Sequence, residues 1–329
     1  MRFSVIIPVF NRPDEVDELL KSLIEQTYND FEVIVVEDGS SLPCRDVVDK
    51  YSDKLNVRYF YKKNGGPGLA RNFGAEKANG EYLIFLDSDC IVPNSYFELV
   101  NDELTSNYVD FFGGPDATHH SFTSIQKAIG YSMTSFFTTG GIRGGKLKLE
   151  RFTPRSFNMG VSFDAFRAVN GFSNMRFGED VDLSLRLFEK GYKSRLFPAA
   201  FVYHKRRTDF RKFFKQVFNS GMARINLAIN HKGALKLVHL LPSGFVVAMS
   251  AILVASFFFP ILFVLPILYS LMLFVDSLVK GNGFVVGLLG VVAAWVQLYG
   301  YGLGFIYALW LWMVHGTKPQ GAFVKNFYR

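Results

Sequence analysis

Charge is almost missing from one stretch of this 329-residue chain. Between Leu237 and Gly316 the only formally charged residues are Asp276 and Lys280. A water-facing surface is not made from such a stretch, and a buried soluble helix of this length and purity is disfavoured. Cysteine is scarce too. Cys44 and Cys90 are the only two, too few and too scattered for a metal knuckle or a disulfide framework. A reducing, cytosolic environment for the polar part of the chain is expected. Tryptophan is confined to Trp295, Trp310 and Trp312, all inside the uncharged stretch. No G-x-G-x-x-G follows a strand pattern, which disfavours a dinucleotide enzyme. The start, "MRFSVIIPVF", is a short β-rich run that leads straight into polar residues. It lacks the apolar region and cleavage site of a signal peptide, and none is expected.

The uncharged stretch holds two apolar runs, 240–274 and 284–314. Each exceeds the ~20 residues that a helix needs to cross a bilayer. A transmembrane α-helical segment is therefore expected over 237–316, with two to four helices and three favoured. Pro260 and Pro266 divide the first run, so it reads as two short helices turning near Pro260. The second reads as one long helix, with Gly283/Gly287 and Gly300/Gly304 at close-packing spacing. Just before this segment, 205–236 contains nine Lys/Arg and one acid, a local excess larger than the +7 of the whole chain. A basic juxtamembrane or interfacial helix fits anionic lipid and the positive-inside rule. No nucleic-acid motif accompanies the charge, so nucleic acid is not expected as a partner. The last residues, 317–329, form a basic tail.

Residues 1–204 read as a soluble α/β domain. "FSVIIPVF", "FEVIVVEDGS", "NVRYFYKK" and "EYLIFLDSD" are near-continuous apolar strands. Between them lie helical patterns: "PDEVDELLKSLIEQ", "CRDVVDKYSD", and "GPGLARNFGAEKANG" with Pro67 near its start and Gly80 past its end. Such alternation indicates a mostly parallel sheet covered on both faces, with ligands at the carboxyl ends of the strands. Those ends carry Pro8-Val9-Phe10-Asn11, Glu37-Asp38-Gly39-Ser40 and Asp87-Ser88-Asp89. A later block, 153–204, reads as a strand, a helix from about Val181 to Lys190 closed by Gly191, and a strand ending at His204.

The strand ends suggest chemistry. Mg²⁺ commonly takes one or two carboxylates plus substrate phosphates, and Asp87-x-Asp89 offers two. An isolated D-x-D is more often a turn or a cap, but this one has companions. Asp38 ends an earlier strand, although an Asx turn with Gly39 would account for it as well. Arg71 lies on the helix before the acidic strand, where it could meet a phosphate. Glu179 and Asp180 stand where a helix begins. Helix capping explains one of these acids, and the second leaves room for a general base. "GGIRGGK" (140–146) has phosphate-loop spacing, but Leu147 replaces the Ser/Thr and no strand-to-helix context surrounds it. It reads as a Gly-rich loop.

Together, "SVIIPVFNR", "VIVVEDGS", "GGPGLARNFGAEKANGEYLIFLDSDC", "NMGVSFDAFRAVNGF", "FGEDVDLSLRLFEKGYK" and "VYH" resemble family 2 glycosyltransferases of the GT-A fold, over about residues 3–204. The resemblance implies a Rossmann-like, mostly parallel sheet. It also implies a nucleotide-sugar donor, most often a UDP-sugar, together with Mn²⁺ or Mg²⁺ and inversion at the anomeric carbon. By motif, the donor would be bound by Pro8, Val9, Asp38, Arg71, Asp87 and Ser88, with Asp38 toward the base. Asp89 would hold the metal and His204 could join it. Asp180, with Glu179 beside it, would deprotonate the acceptor hydroxyl. The absence of Q-x-x-R-W disfavours processive polysaccharide synthesis. "SLPC" after "EDGS" departs from the polyprenyl-phosphate sugar synthases and weakens a direct lipid-phosphate acceptor. The expectation is a multi-pass protein of the inner (plasma) membrane with its catalytic domain cytoplasmic. Its acceptor would be a glycan or a lipid-linked oligosaccharide, and membrane lipid would be its other partner. The alternatives are a polyprenyl-phosphate glycosyltransferase and an inactive membrane scaffold.

Overall fold

A computed structural model describes residues 2–139, 152–316 and 321–322. The sequence-predicted Gly-rich loop at 140–146 and most of the tail 317–329 lie outside them. The chain begins β1 (Phe3–Val9), α1 (Pro13–Ile24), β2 (Phe31–Asp38), α2 (Arg45–Asp49), β3 (Val57–Lys62), α3 (Pro67–Ala75), β4 (Tyr82–Leu86), β5 (Cys90–Ile91) and α4 (Tyr96–Ser106). It continues β6 (Phe111–Gly113), β7 (Asp116–Ala117), α5 (Ser124–Thr134), α6 (Phe136–Thr139), β8 (Asn158–Ser162), α7 (Phe163–Ala168), α8 (Glu179–Glu189), β9 (Ser194–Leu196) and β10 (Val202–His204). Four longer helices close it: α9 (Phe210–Asn230), α10 (Leu241–Ala255), α11 (Val264–Val279) and α12 (Phe284–His315). The chain divides into two compact units, Met1–His119 with Glu150–Lys205, and His120–Leu149 with Arg206–Arg329.

The first unit is built on a seven-stranded sheet of order β3-β2-β1-β4-β8-β6-β9. β1, β2, β3 and β4 run parallel; β8 opposes β4 and β6. Every residue of β2 and β4 is buried, as expected for strands covered on both faces. Alternate residues feed two cores. Val5, Ile7, Val33, Val35 and Ile84 pack with α1 and α4 on one face; Ile6, Ile34, Val36, Leu83 and Phe85 pack with Leu183 and Leu187 of α8 on the other. α1 follows the same logic, with Val16, Leu19, Leu20 and Leu23 buried and Asp14 and Glu15 in its first turn. A buried charge interrupts this core at Glu32. Burial alone would raise its pKa, but bonds from Ser4 Oγ (2.7 Å), Asn79 N (2.7 Å) and Arg58 hold it below the ordinary value.

Register decides what meets at the sheet edge. Val9 pairs with Glu37, Ile6 with Phe85, and Leu86 with Asn158, so the ends of β1, β2 and β4 share one edge. There a small three-stranded sheet, β5-β10-β7, sits just past β4. Its antiparallel pair matches His204 with Cys90.

In the second unit α12 is the spine. Gly300 and Gly304 let the backbone of α9 come close: a Cβ at Gly304 would lie 2.1 Å from the Phe218 carbonyl oxygen, and one at Gly300 would lie 2.5 Å from Val217 Cγ2. Of the expected close-packing glycines, Gly300 and Gly304 seat α9, Gly287 faces Phe274 of α11, and Gly283 stands in open space. Phe213, Val217, Met222, Ala223, Ile225 and Leu227 of α9 are accordingly buried. The first apolar run breaks where Pro260 predicted, between α10 and α11. Pro260–Val279 and Phe284–His315 are long and apolar enough to cross a membrane; α10, with 15 residues, is shorter.

Candidate active site

Asp87 and Asp89 leave β4 pointing into one polar network. Asp89 Oδ1 lies 3.1 Å from His204 Nε2, and Asp89 Oδ2 accepts from Arg12 Nη1 at 2.7 Å. The same Arg12 nitrogen reaches Glu15 at 2.6 Å. The Lys205 amide donates to the Asp89 carbonyl at 3.1 Å, which ties the end of β10 to this loop. Asp87 Oδ2 is 3.9 Å from His204 Nε2, and Asp87 Oδ1 accepts from Arg71 Nη2 at 2.6 Å. The His204 ring stacks on Phe157, with centroids 4.6 Å apart and planes 17° apart, so its orientation is set by packing.

Arg71 is 2% exposed. Burial opposes its charge, but Asp87 and Glu179 overcome that and raise its pKa further. Its Nη1 donates to Glu179 Oε1 at 3.0 Å, and its guanidinium lies 5.4 Å from the Phe172 ring centre. Arg71 therefore bridges the end of β4 to the start of α8. That helix begins at Glu179, two residues earlier than the sequence predicts, because Gly178 takes the left-handed conformation (φ +80°) at its N-cap. Both acids then fall in the first turn. Asp180 accepts from the Val181 amide at 2.8 Å and from Arg155 Nη1 at 3.4 Å. Burial, and next the charge of Asp180, push Glu179 up to about 7 against the lowering pull of Arg71.

Asp38 belongs to a neighbouring network. Its Oδ1 accepts from Lys62 Nζ (2.7 Å) and the Gly65 amide (2.9 Å), and its Oδ2 from the Gly66 amide (2.8 Å). The carboxylate thereby holds the Gly-rich turn into α3. That turn and residues Ser173–Arg176 line a small, partly open cleft. Gly68 joins the cleft to the first network, since a Cβ there would sit 3.5 Å from Glu179 Cγ.

The expected site residues thus separate into groups. Asp87, Asp89, Arg71, Glu179 and His204 share one network, with Asp180 at its margin. Asp38 stands in the next, on the Gly-rich turn. Ser88 is buried between the two acids. Pro8 and Val9 reach the edge through their backbone, and the Val9 side chain is part of the core. Sequence reasoning missed Arg12, Lys62, Arg155, Phe157 and Arg176. Arg12 had a signal, the basic residue directly after the first strand. The others become visible only through contacts distant in sequence.

Asp89, Cys90 and His204 offer ligand atoms within 4.8 Å of one another. The Asp89 carboxylate and the His204 imidazole, with the Asp87 carboxylate 3.9 Å from that ring nitrogen, suit Mn²⁺ or Mg²⁺, whereas the buried Cys90 thiol, 3.5 Å from the Phe157 carbonyl, is too soft a donor for either. The donor set fits a hard divalent cation.

A buried, mostly parallel sheet with acids at one edge and an acidic helix start beside them defines a nucleotide-sugar transferase fold. Residues 4–169 match the glycosyl transferase family 2 description, and the chain belongs to that family. An uncharacterized glycosyltransferase of Rickettsia bellii is 41% identical over 98 residues, 30% of this chain and 14% of that protein. The poly(ribitol-phosphate) β-N-acetylglucosaminyltransferase TarS of Staphylococcus aureus is 42% identical over 93 residues, 27% of this chain and 16% of TarS. The chain thus spans less than a quarter of the length of these curated relatives. Among solved structures, TarS residues 1–349 in complex with UDP-GlcNAc superimpose with a TM-score of 0.53 at 19% identity, covering 94% of this chain and 92% of that one. The mannosyltransferase PcManGT of Pyrobaculum calidifontis, in complex with GDP-Man and Mn²⁺, gives 0.63 at 14% identity, covering 94% and 87%.

Proposed function

We propose that the protein is an inverting, metal-dependent glycosyltransferase that moves a sugar from a UDP-sugar to a hydroxyl of a glycan or lipid-linked oligosaccharide. One observation carries the reading: Arg71 couples the Asp87-Ser88-Asp89 edge to the Glu179–Asp180 helix start, placing a cation-binding edge beside a candidate base. The nucleotide would lie in the cleft beside Asp38 and the Gly-rich turn, with its diphosphate toward Asp87 and Asp89. Asp89 and His204 would hold Mn²⁺ or Mg²⁺, with Asp87 beside them. When bound, such a cation neutralises charge that develops on the leaving diphosphate. Asp180 takes the proton from the acceptor hydroxyl. That oxygen bonds to the anomeric carbon as the bond from that carbon to the diphosphate oxygen breaks on the opposite face. Glu179 and Arg71 are positioning residues that hold the start of α8 against the donor edge.

The C-terminal helices would anchor the catalytic unit to the cytoplasmic face of the inner membrane, where a lipid-linked acceptor is within reach. A polyprenyl-phosphate acceptor is the second reading, and chemical identification of the product as phosphate-linked or glycosidic separates the two. The test of the main reading is hydrolysis of a panel of nucleotide sugars by the full-length protein with and without Mn²⁺. We expect slow, Mn²⁺-dependent turnover of one UDP-sugar, a loss of at least about 10²-fold in Asp89→Ala, and weakened Mn²⁺ binding in His204→Ala by calorimetry. No binding or turnover of any nucleotide sugar would favour a scaffold and overturn the proposal.

A further inference from the structure

From Phe257 to Leu268 the chain carries no polar side chain. This is the connection between α10 and α11, where a water-exposed turn would normally carry Gly, Asn, Asp or Ser. Here Phe257 is 80% exposed, Phe258 78% and Ile261 75%. The backbone at this point looks inward. The amides of Ser256, Phe257, Phe258, Phe259 and Leu262 donate to carbonyls of the same turn, and Ser256 Oγ returns to the Ile252 carbonyl at 2.7 Å. Pro260 has no amide hydrogen to satisfy. A turn that satisfies these donors within itself and exposes phenylalanine is matched to hydrocarbon rather than water.

Length bears on α10. At about 1.5 Å per residue its 15 residues measure about 22 Å, short of a hydrocarbon core about 30 Å thick, so the turn at its end falls within the acyl chains; Pro260–Val279, the turn together with α11, reaches about 30 Å. Polarity returns at both outer ends. Lys232 and Lys236 are exposed before α10. At the far end of α11, Asp276 Oδ2 accepts from Lys280 Nζ (2.7 Å), Tyr131 OH (2.8 Å) and Ser135 Oγ (3.0 Å). Charge stands only at the two bases, and both carry cations suited to one anionic headgroup layer.

We infer that α10 and α11 form a re-entrant hairpin. It enters the bilayer beside Lys236, turns within the acyl chains at Phe257–Phe259, and returns to the same face at Lys280. The partner is lipid hydrocarbon, and the hairpin makes no net crossing. α12 is then the one remaining candidate span among the described residues. This inference stands apart from the glycosyl-transfer reading, and a failed turnover assay leaves it untouched.

The test uses full-length protein in sealed anionic liposomes, with single added cysteines Lys236→Cys, Phe258→Cys and Gly283→Cys. Native Cys44 and Cys90 are buried, so the parent protein is the blank. The Phe258 side chain faces outward and nothing lies within 4 Å of a Cβ at Gly283, so folding is not at risk. A membrane-impermeant maleimide should label positions 236 and 283 from one and the same face, and position 258 from neither. A spin label at 258 should be accessible to oxygen and shielded from a water-soluble nickel chelate. Labelling of 258 from the opposite face would mean two spans. Labelling from the same face would mean no insertion, and positions 236 and 283 on opposite faces would mean a net crossing. Each of these overturns the inference.

Discussion

Replacing Glu179 by Gln removes a charge while keeping the shape and an oxygen for Arg71 Nη1 to reach. In the native protein, burial and then the charge of Asp180 push this carboxyl from 4.5 up to about 7, although Arg71 pulls it down. A carboxyl whose folded pKa lies above its unfolded one contributes stability that is complete below the unfolded value. That contribution is lost as pH rises through the folded value. The window here is pH 4.5 to about 7. At about 1.4 kcal/mol per pH unit, the loss across it is about 3 kcal/mol. Glutamine stays neutral throughout. Glu179→Gln should match the parent near pH 4.5 and exceed it by about 3 kcal/mol at pH 8. For a unit of this size that is roughly 6–12 °C in Tm. The assay is thermal unfolding of purified full-length protein in detergent across pH 4.5–8.5. Turnover should fall as stability rises, because the site holds its charge at the expense of the fold. A variant no more stable than the parent at pH 8 would refute the claim that burial outweighs Arg71 at this carboxyl.

Arg71→Ala leaves Asp87 and Glu179 without their shared cation. We expect a loss of about 3–5 kcal/mol, measured by denaturant unfolding, and partial recovery in the double variant with Glu179→Gln. A loss below about 1 kcal/mol would show that the bridge is idle. Gly304→Val should force α9 away from α12, because its Cβ would meet the Phe218 carbonyl oxygen. A cost of about 1–3 kcal/mol or more is expected, with faster proteolysis of α9, whereas Gly283→Ala, with open space around it, should change neither.

Much of the first unit was legible in the sequence, for definite reasons. Unbroken apolar strands such as Tyr82–Leu86 can only lie in a sheet covered on both faces, and acids directly after such a strand must emerge at its edge. The break near Pro260 followed from the missing amide hydrogen. The boundary of α8 was misjudged by two residues because a left-handed glycine cap leaves no mark in apolar periodicity. The position of Arg71 was legible, but its partners were not. It reads as a cation available to phosphate, yet lies buried between two carboxylates. Gly300 and Gly304 were recognised as a close-packing pair, but spacing does not name the partner, which is α9.

By itself the sequence determined the α/β class, the acidic strand ends, the acidic start of α8 and the uncharged C-terminal stretch. These are local properties, set by side-chain polarity against the period of the backbone. Tertiary structure alone decided that His204 meets Asp89 and that Arg12 reaches the same carboxylate. It also decided that Asp38 holds the Gly65–Gly66 turn before α3 and that most amides of the turn after α10 bond within it. Those outcomes depend on strand register and on contacts between residues far apart in the chain, where no short pattern records which charge will lie beside which.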